Sequence, residues 1–319
     1  MPGIKVGLIG GSGLGEALGA TDVGDARRHE IDTPFGRLSD AIVETTWDGV
    51  TVFLLSRHGP GHLLNPSRVP YRANVFALKH LGCTHVLASG AIGSLREEYK
   101  PTHLVVPDQV IDKTYNRDGT FFERAAVHVE FAEPFDPVLR RIVLDAAKAP
   151  GEDSATVVHD RGCYVAMEGP AFSTRAESLM HRLWGGDLIG MTAMPEAKLA
   201  REAEMGYALI ALVTDYDCWR HPPATKDTEQ KADAFLLLKE IIGNLKTASD
   251  NAMRLMRRTV SLMSQRQGEL MASPALRALE LGIWSDKQRI DPQEVERLRP
   301  LWGRYFASGA GTETSHDST

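Results

Sequence analysis

Two carboxylates, Asp215 and Asp217, flank Tyr216 directly after the apolar run Ala208 to Val213. If that run is a strand, alternation turns both acids to one face. Side by side they repel, so one of them keeps its proton near neutral pH. Such a carboxyl suits a leaving group that departs only when protonated, as a purine does through N7. The same residues also read as a helix N-cap, a role aspartate fills well. A second candidate is Arg57-His58-Gly59, which closes the run Val52-Phe53-Leu54-Leu55. The planar fork of arginine holds phosphate by two parallel charge-assisted bonds, with His58 as a further donor. A solvated loop is the plainer reading of that pair.

Gly10-Gly11-Ser12-Gly13-Leu14-Gly15 follows another apolar run. Its amides would cradle an anion, with the Ser12 hydroxyl added, or it is simply a tight turn. A dinucleotide loop of the GxGxxG kind is disfavoured, because Glu16 stands where its last glycine belongs. Glu168-Gly169-Pro170 with Phe172 offers an acceptor for sugar hydroxyls and a ring to stack on a base, or else a turn and a core ring. Met191-Thr192 is equally two-sided, since methionine is more often filler than ligand contact.

The elements that must carry these residues alternate. Ile4 to Ile9 and Val50 to Ser56 read as strands; Val75, Leu78 and Leu81 recur at helical spacing up to Gly82, and Thr84 to Ser89 is the next strand. Helices follow around 137–149, 175–184 and 195–205, with strands over 187–189 and 207–214. Continuous apolar strands alternating with helices predict an α/β fold with a mostly parallel sheet covered on both faces. Ligands gather at the carboxyl ends of such strands, so the segments after Ile9, Ser56, Ser89, Ile189 and Val213 are the places to look. Residues 225–260 read as one packing helix with a stripe of Phe235, Leu238, Ile242, Leu245, Ala252 and Met256. Two more helices are predicted over 265–281 and 291–306, and disorder from Ser308. This divides the chain into a main domain at 1–264, a helical extension at 265–307 and a tail at 308–319.

With 319 residues, 43% hydrophobic and 24% charged, the composition is that of a globular protein. A net charge of −6 without a basic run argues against nucleic acid as a partner. No apolar segment is long enough to span a bilayer. Cys83, Cys163 and Cys218 form neither a disulfide framework nor a zinc knuckle, which fits the cytoplasm.

Taken in order, Gly10-Gly11-Ser12-Gly13-Leu14, Thr33-Pro34-Phe35-Gly36, Arg57-His58-Gly59, Tyr71-Arg72-Ala73-Asn74, Gly93-Ser94-Leu95-Arg96, Ala132-Glu133-Pro134-Phe135, Glu168-Gly169-Pro170, Met194-Pro195-Glu196 and Thr214-Asp215-Tyr216-Asp217-Cys218-Trp219 resemble the trimeric purine nucleoside phosphorylase family, in its methylthioadenosine-cleaving branch. The likeness spans roughly residues 4–260. It implies a single-domain fold with a distorted mixed central sheet flanked by helices, and a homotrimer. The reaction it implies is phosphorolysis of 5′-deoxy-5′-methylthioadenosine to adenine and 5-methylthioribose 1-phosphate, without metal or organic cofactor. A 6-oxopurine or methylthioinosine phosphorylase is the alternative. By the same resemblance Ser12, Arg57, His58, Gly90, Ala91 and Thr192 bind phosphate, Phe172 and Gly190 face the purine, and Met191 lies under the ribose. Asp215 protonates N7, Asp217 holds the 6-amino group, and His128 is lent by a neighbouring subunit to cover the 5′ substituent. Where this chain has Gly90 the family often has a hydroxyl residue, and where it has Gly190 an asparagine.

Overall fold

The computed structural model of the chain describes residues 3–12, 26–148, 156–220 and 236–306. The glycine turn beyond Ser12, the start of the helix expected from residue 225 and the tail from 308 lie outside the described residues.

Strand β1 (Lys5–Gly10) pairs in parallel with β4 (Val50–Ser56) on one side and β5 (His85–Ser94) on the other. Strands β2 (Arg27–His29) and β3 (Ile42–Trp47) extend that edge antiparallel to β4. On the far side of β5 lies β11 (Gly206–Asp215), parallel to it and buried along its whole length. Near the end of β5 the edge left by β1 is taken up by β10 (Leu188–Gly190), which runs the opposite way. β10 continues in parallel into β9 (Cys163–Ala166) and β7 (Gln109–Asp112). The two-residue strands β6 (Leu104–Val105) and β8 (Val158–His159) lie beside β11 and complete a sheet that has eleven strands among the described residues. The sheet is therefore mixed. It departs from a simple parallel layer because β5 does not stop at Ser89: β11 pairs with it as far as Gly93 and carries it on.

Burial on both faces accounts for the continuous apolar strands. On β11, Ala208, Ile210 and Leu212 enter one core, under α2 (Pro137–Lys148) and α5 (Leu236–Gln265). Its alternating neighbours Leu209, Ala211 and Val213 enter the other, under α1 (Tyr71–His80) and α4 (Ala193–Glu202). Helix α3 (Arg175–Leu183) opens with a capping box between Thr174 and Glu177.

Several elements differ from expectation. Ile242 on α5 is 72% exposed, whereas Ala252 and Met256 are buried as expected, in a stripe that also takes in Ala248, Leu255, Val260 and Met263. The helix expected over 265–281 is a short α6 (Gln267–Met271) followed by a 3-10 turn at Pro274–Arg277. That expected over 291–306 is split into α7 (Pro292–Arg297) and α8 (Arg299–Trp302) around Leu298. A proline at 300 has no amide hydrogen with which to continue the first helix. The segment still packs inward: Trp302 is fully buried against Phe122, and Ile283 bridges to Val127.

Candidate active site

Between the last pairing of β1 with β5, at Ala88, and the first pairing of β10, at Gly93, one edge of β5 has no strand beside it. A cleft of about 240 Å³ opens there. Gly11 and Ser12 reach it from the end of β1, and Arg57 and His58 from the end of β4. Gly90 and Ala91 line it from within β5, Gly190, Met191 and Thr192 from the end of β10, and Asp215 and Asp217 from the end of β11. Phe172, 54% exposed, stands at the rim. His128 does not reach this cleft; it is exposed, with its ring 4.5 Å from that of Trp284 in the same chain. A second, polar cavity of about 510 Å³ lies beside it, at Arg68, Arg72 and Arg117.

Asp215 and Asp217 share a direction for a different reason from strand alternation. The register of β11 slips between Val213 and Asp215, and Asp217 lies beyond the strand in a 3-10 turn with φ of 51°, a region aspartate tolerates better than most residues. The Asp215 carboxylate stabilises that turn by accepting from the Asp217 N–H at 2.7 Å and from the Thr214 hydroxyl at 2.8 Å. The turn opens at Tyr216 without a side-chain cap, so this bond closes a local turn and is not the helix N-cap that the motif also suggested. Both side chains are buried, and burial pushes the Asp217 carboxyl up from its ordinary value. Gly93 lets them approach: a Cβ there would lie 2.9 Å from Ile189, 3.0 Å from Asp215 Oδ1 and 3.3 Å from Asp217 Cβ.

At the other end, the fork of Arg57 is already engaged. Its Nε donates to Glu196 at 2.8 Å and its Nη2 at 2.9 Å, while Nη1 donates to the Ser89 carbonyl at 2.8 Å. Burial by itself lowers the pKa of Arg57, but Glu196 holds it above the ordinary value. Two of the five guanidinium N–H groups remain for a ligand, so the two parallel bonds expected for phosphate belong to Glu196. His58 Nδ1 lies 2.7 Å from the Leu64 carbonyl, which assigns the proton to Nδ1 and leaves Nε2 as an acceptor. Burial, with Arg57 adding to it, lowers the His58 pKa to about 4. At neutral pH His58 is an uncharged imidazole rather than a cationic donor.

The family model described as the phosphorylase superfamily matches residues 5–261. The chain belongs to the phosphorylase superfamily. The S-methyl-5′-thioadenosine phosphorylase of Gloeobacter violaceus is 46% identical over 307 residues, covering 96% of this chain and 97% of that protein. That of Thermosynechococcus vestitus is 44% identical, covering 95% and 99%. Among solved structures, a methylthioadenosine phosphorylase from an antarctic soil metagenomic library superposes with a TM-score of 0.79 at 41% identity, covering 94% of this chain and 99% of that one. The Schistosoma mansoni methylthioadenosine phosphorylase in complex with adenine gives 0.76 at 36% identity, covering 88% and 99%.

Several residues of this phosphorylase cleft carry weak signals in the sequence. Glu196 stands in the Met194-Pro195-Glu196 motif, yet nothing there indicates that it neutralises Arg57 or accepts from the Tyr207 hydroxyl at 2.9 Å. Tyr164 explains Gly190: a Cβ at Gly190 would sit 2.1 Å from its hydroxyl. That hydroxyl accepts instead from the Thr192 N–H at 3.3 Å. Among the described residues an added Cβ at Gly90 would meet only Thr192 Oγ1, at 3.5 Å, so a hydroxyl residue would fit against them. Glu168, weighed as a sugar acceptor, does not line the cleft. Its carboxylate accepts from the Tyr115 N–H at 2.9 Å, the Asn116 N–H at 3.3 Å and Arg117 Nε at 3.2 Å. Burial would raise the Glu168 pKa, but these donors and Ser67 bring it down to about 2. Arg117 in turn donates to the carbonyls of Met191 and Met194, bracing the wall that presents Thr192. Helix α5 supplies Ile241 and Leu245 to the cleft, and its Asn244 donates to the Thr214 carbonyl at 2.9 Å.

Proposed function

We propose that this phosphorylase cleaves 5′-deoxy-5′-methylthioadenosine with inorganic phosphate, yielding adenine and 5-methylthioribose 1-phosphate. One observation carries the reading: a single cleft holds two buried carboxylates at one end and Ser12, Arg57, His58 and Thr192 at the other. Carboxylates accept from a 6-amino group, whereas a 6-oxopurine asks for a donor. The names of the relatives point the same way.

In this reading phosphate lies on the α face of the ribose. The Ser12 and Thr192 hydroxyls, the amides beside Gly90 and Ala91, and the remaining N–H groups of Arg57 hold it. Neutral His58 accepts through Nε2 from the P–O–H of hydrogen phosphate. Phosphate attacks C1′ as the bond to N9 stretches, and its charge stabilises an oxocarbenium-like sugar. Asp215 gives a proton to N7 and Asp217 accepts from the 6-amino group. The proton gained by the base balances the one hydrogen phosphate loses on becoming an ester. Phe172 and Met191 pack against base and ribose, with Ile241 and Leu245 closing the wall. His128, exposed and outside its own cleft, would cover the 5′ substituent of a neighbouring subunit in a homotrimer. Sedimentation of a species three times the chain mass tests that assembly. Among the described residues no helix is long and apolar enough to cross a membrane, and we assign the enzyme to the cytoplasm.

The deciding assay follows adenine release from methylthioadenosine with and without phosphate. Release only with phosphate, and far faster than release of hypoxanthine from methylthioinosine, is the expected outcome. Phosphate-independent release or a preference for the 6-oxo substrate overturns the reading.

A further inference from the structure

Five buried side-chain atoms among the described residues have no hydrogen-bond partner, and three of them, Ser178 Oγ, His181 Nδ1 and Asp217 Oδ2, belong to one place. Helix α3 carries Ser178 and His181 three residues apart on one face, both buried, and packs that side against the turn that holds Asp217. Ser178 and His181 lie close enough to the Asp217 carboxyl to draw its pKa down against burial, although none of the three closes a hydrogen bond in this conformation. Behind them, Lys113 Nζ sits 2.9 Å from His181 Nε2. An ammonium only donates, so Nε2 accepts and the proton of the imidazole is on Nδ1. The unpartnered atoms are thus a donor, a hydroxyl that both donates and accepts, and a carboxylate acceptor. Nothing in the phosphorylase reading uses Ser178, His181 or Lys113.

We propose that Ser178, His181 and Lys113 form a donor array behind Asp217 that keeps this buried acid ionised, and thereby set the preference of the cleft for 6-aminopurines over 6-oxopurines. The inference rests on the proposed function and deepens it. An ionised Asp217 accepts from a 6-amino group; a protonated one donates, which serves a carbonyl at C6. Burial alone favours the protonated form. The array opposes it, with His181 as a positioning residue whose tautomer Lys113 holds. The groups that face this acid are His181 and Ser178 from α3, Asp215 from the end of β11, and Ser173 and Cys218 in the adjoining segments. His181 itself faces Lys113 and Glu177 as well.

The test compares kcat/KM for methylthioadenosine and methylthioinosine across pH 5–9 in the full-length enzyme and in His181→Ala, His181→Asn and Ser178→Ala. Losing a donor that closes on the buried carboxylate when the base binds corresponds to roughly a 10- to 100-fold change. His181→Ala should lower the 6-amino to 6-oxo ratio by that factor. The pH below which 6-amino activity falls should rise. Asparagine can place an N–H where Nδ1 stands, so His181→Asn should keep most of the ratio. Ser178→Ala should shift it in the same direction as His181→Ala, and carries the test alone if His181→Ala does not fold. An equal loss on both nucleosides, or an unchanged ratio in folded variants, overturns the proposal. Failure of the wild-type enzyme to release adenine with phosphate would instead overturn the function on which it rests.

Discussion

In the proposed mechanism Asp215 delivers the proton that the leaving base takes at N7. Asp215→Asn keeps the shape of the side chain but removes a transferable proton. Turnover of methylthioadenosine should fall by roughly 10²- to 10⁴-fold, the range of a general acid. Melting temperature, followed alongside, should change far less. The two glycines that depart from the family pattern, Gly90 expected beside phosphate and Gly190 beside the purine, behave differently. Gly90 has room for a side chain, whereas Gly190 is held open by the Tyr164 hydroxyl. Gly90→Ser should therefore fold normally and lower the KM for phosphate several-fold, as one added hydroxyl donor would. Gly190→Asn should melt earlier and lose activity, because Tyr164 must leave its place beside Thr192. Steady-state kinetics in phosphate and a thermal melt decide both. Identical behaviour of the two variants would count against this account.

Among the elements, α5 is where pattern and structure diverge most usefully. The expected stripe holds at Ala252 and Met256 but not at Ile242, because the start of the helix leans over the cleft while its later turns cover the sheet. Ile241 and Leu245 face the ligand space and Ile242 faces outward. Ile241→Ala should raise the KM for the nucleoside by about 5- to 20-fold, as expected when a bound ligand no longer buries its apolar surface against one large side chain, and leave the KM for phosphate unchanged. Ile242→Ala should change neither. Equal effects at 241 and 242 would show that the helix does not close the cleft. β5 teaches the same lesson from the other side. Its apolar run pointed to an end near Ser89, yet β11 pairs with it through Gly93. Gly90 and Ala91, which are expected to face phosphate, therefore sit on strand backbone.

At the scale of the whole molecule, buried histidines set the response to acid. His85 is fully buried with Nε2 unpartnered among the described residues, and burial lowers its pKa well below the ordinary value, with Asp136 working against it. His58 is lowered to about 4 in the same sense. The unfolded chain takes up protons at these groups near pH 6.5 while the folded chain does not. Stability is therefore lost as pH falls below about 6.5. Glu202, raised to about 7 by burial despite the Phe121 N–H it accepts, works the other way: the folded chain binds its proton first, and stability is gained between about pH 7 and 4.5. Burial lowers His103, His159 and His181 in the same sense as His85 and His58, and raises Asp217 as it does Glu202; the lowered histidines outnumber the raised carboxyls, so the melting temperature should drop between pH 6.5 and 4. His85→Leu should flatten that slope, and a melt series at fixed ionic strength measures it. A slope unchanged by the substitution would remove His85 from the explanation.

Local properties were legible in the residues alone. Runs buried on both faces announce a covered sheet through their unbroken hydrophobicity, and residue types at their ends announce acid, phosphate and base chemistry. Eleven of the twelve residues expected around the ligand do line one cleft. What only tertiary structure decided is who pairs with whom across long stretches of chain. Glu196 occupies the fork of Arg57 from 139 residues away. Likewise Leu64 fixes the tautomer of His58, Tyr164 fills the space over Gly190, and Lys113 reaches His181 from 68 residues away. Hydrogen-bond partners and charge states depend on distances after folding, and no periodicity along the chain encodes those distances.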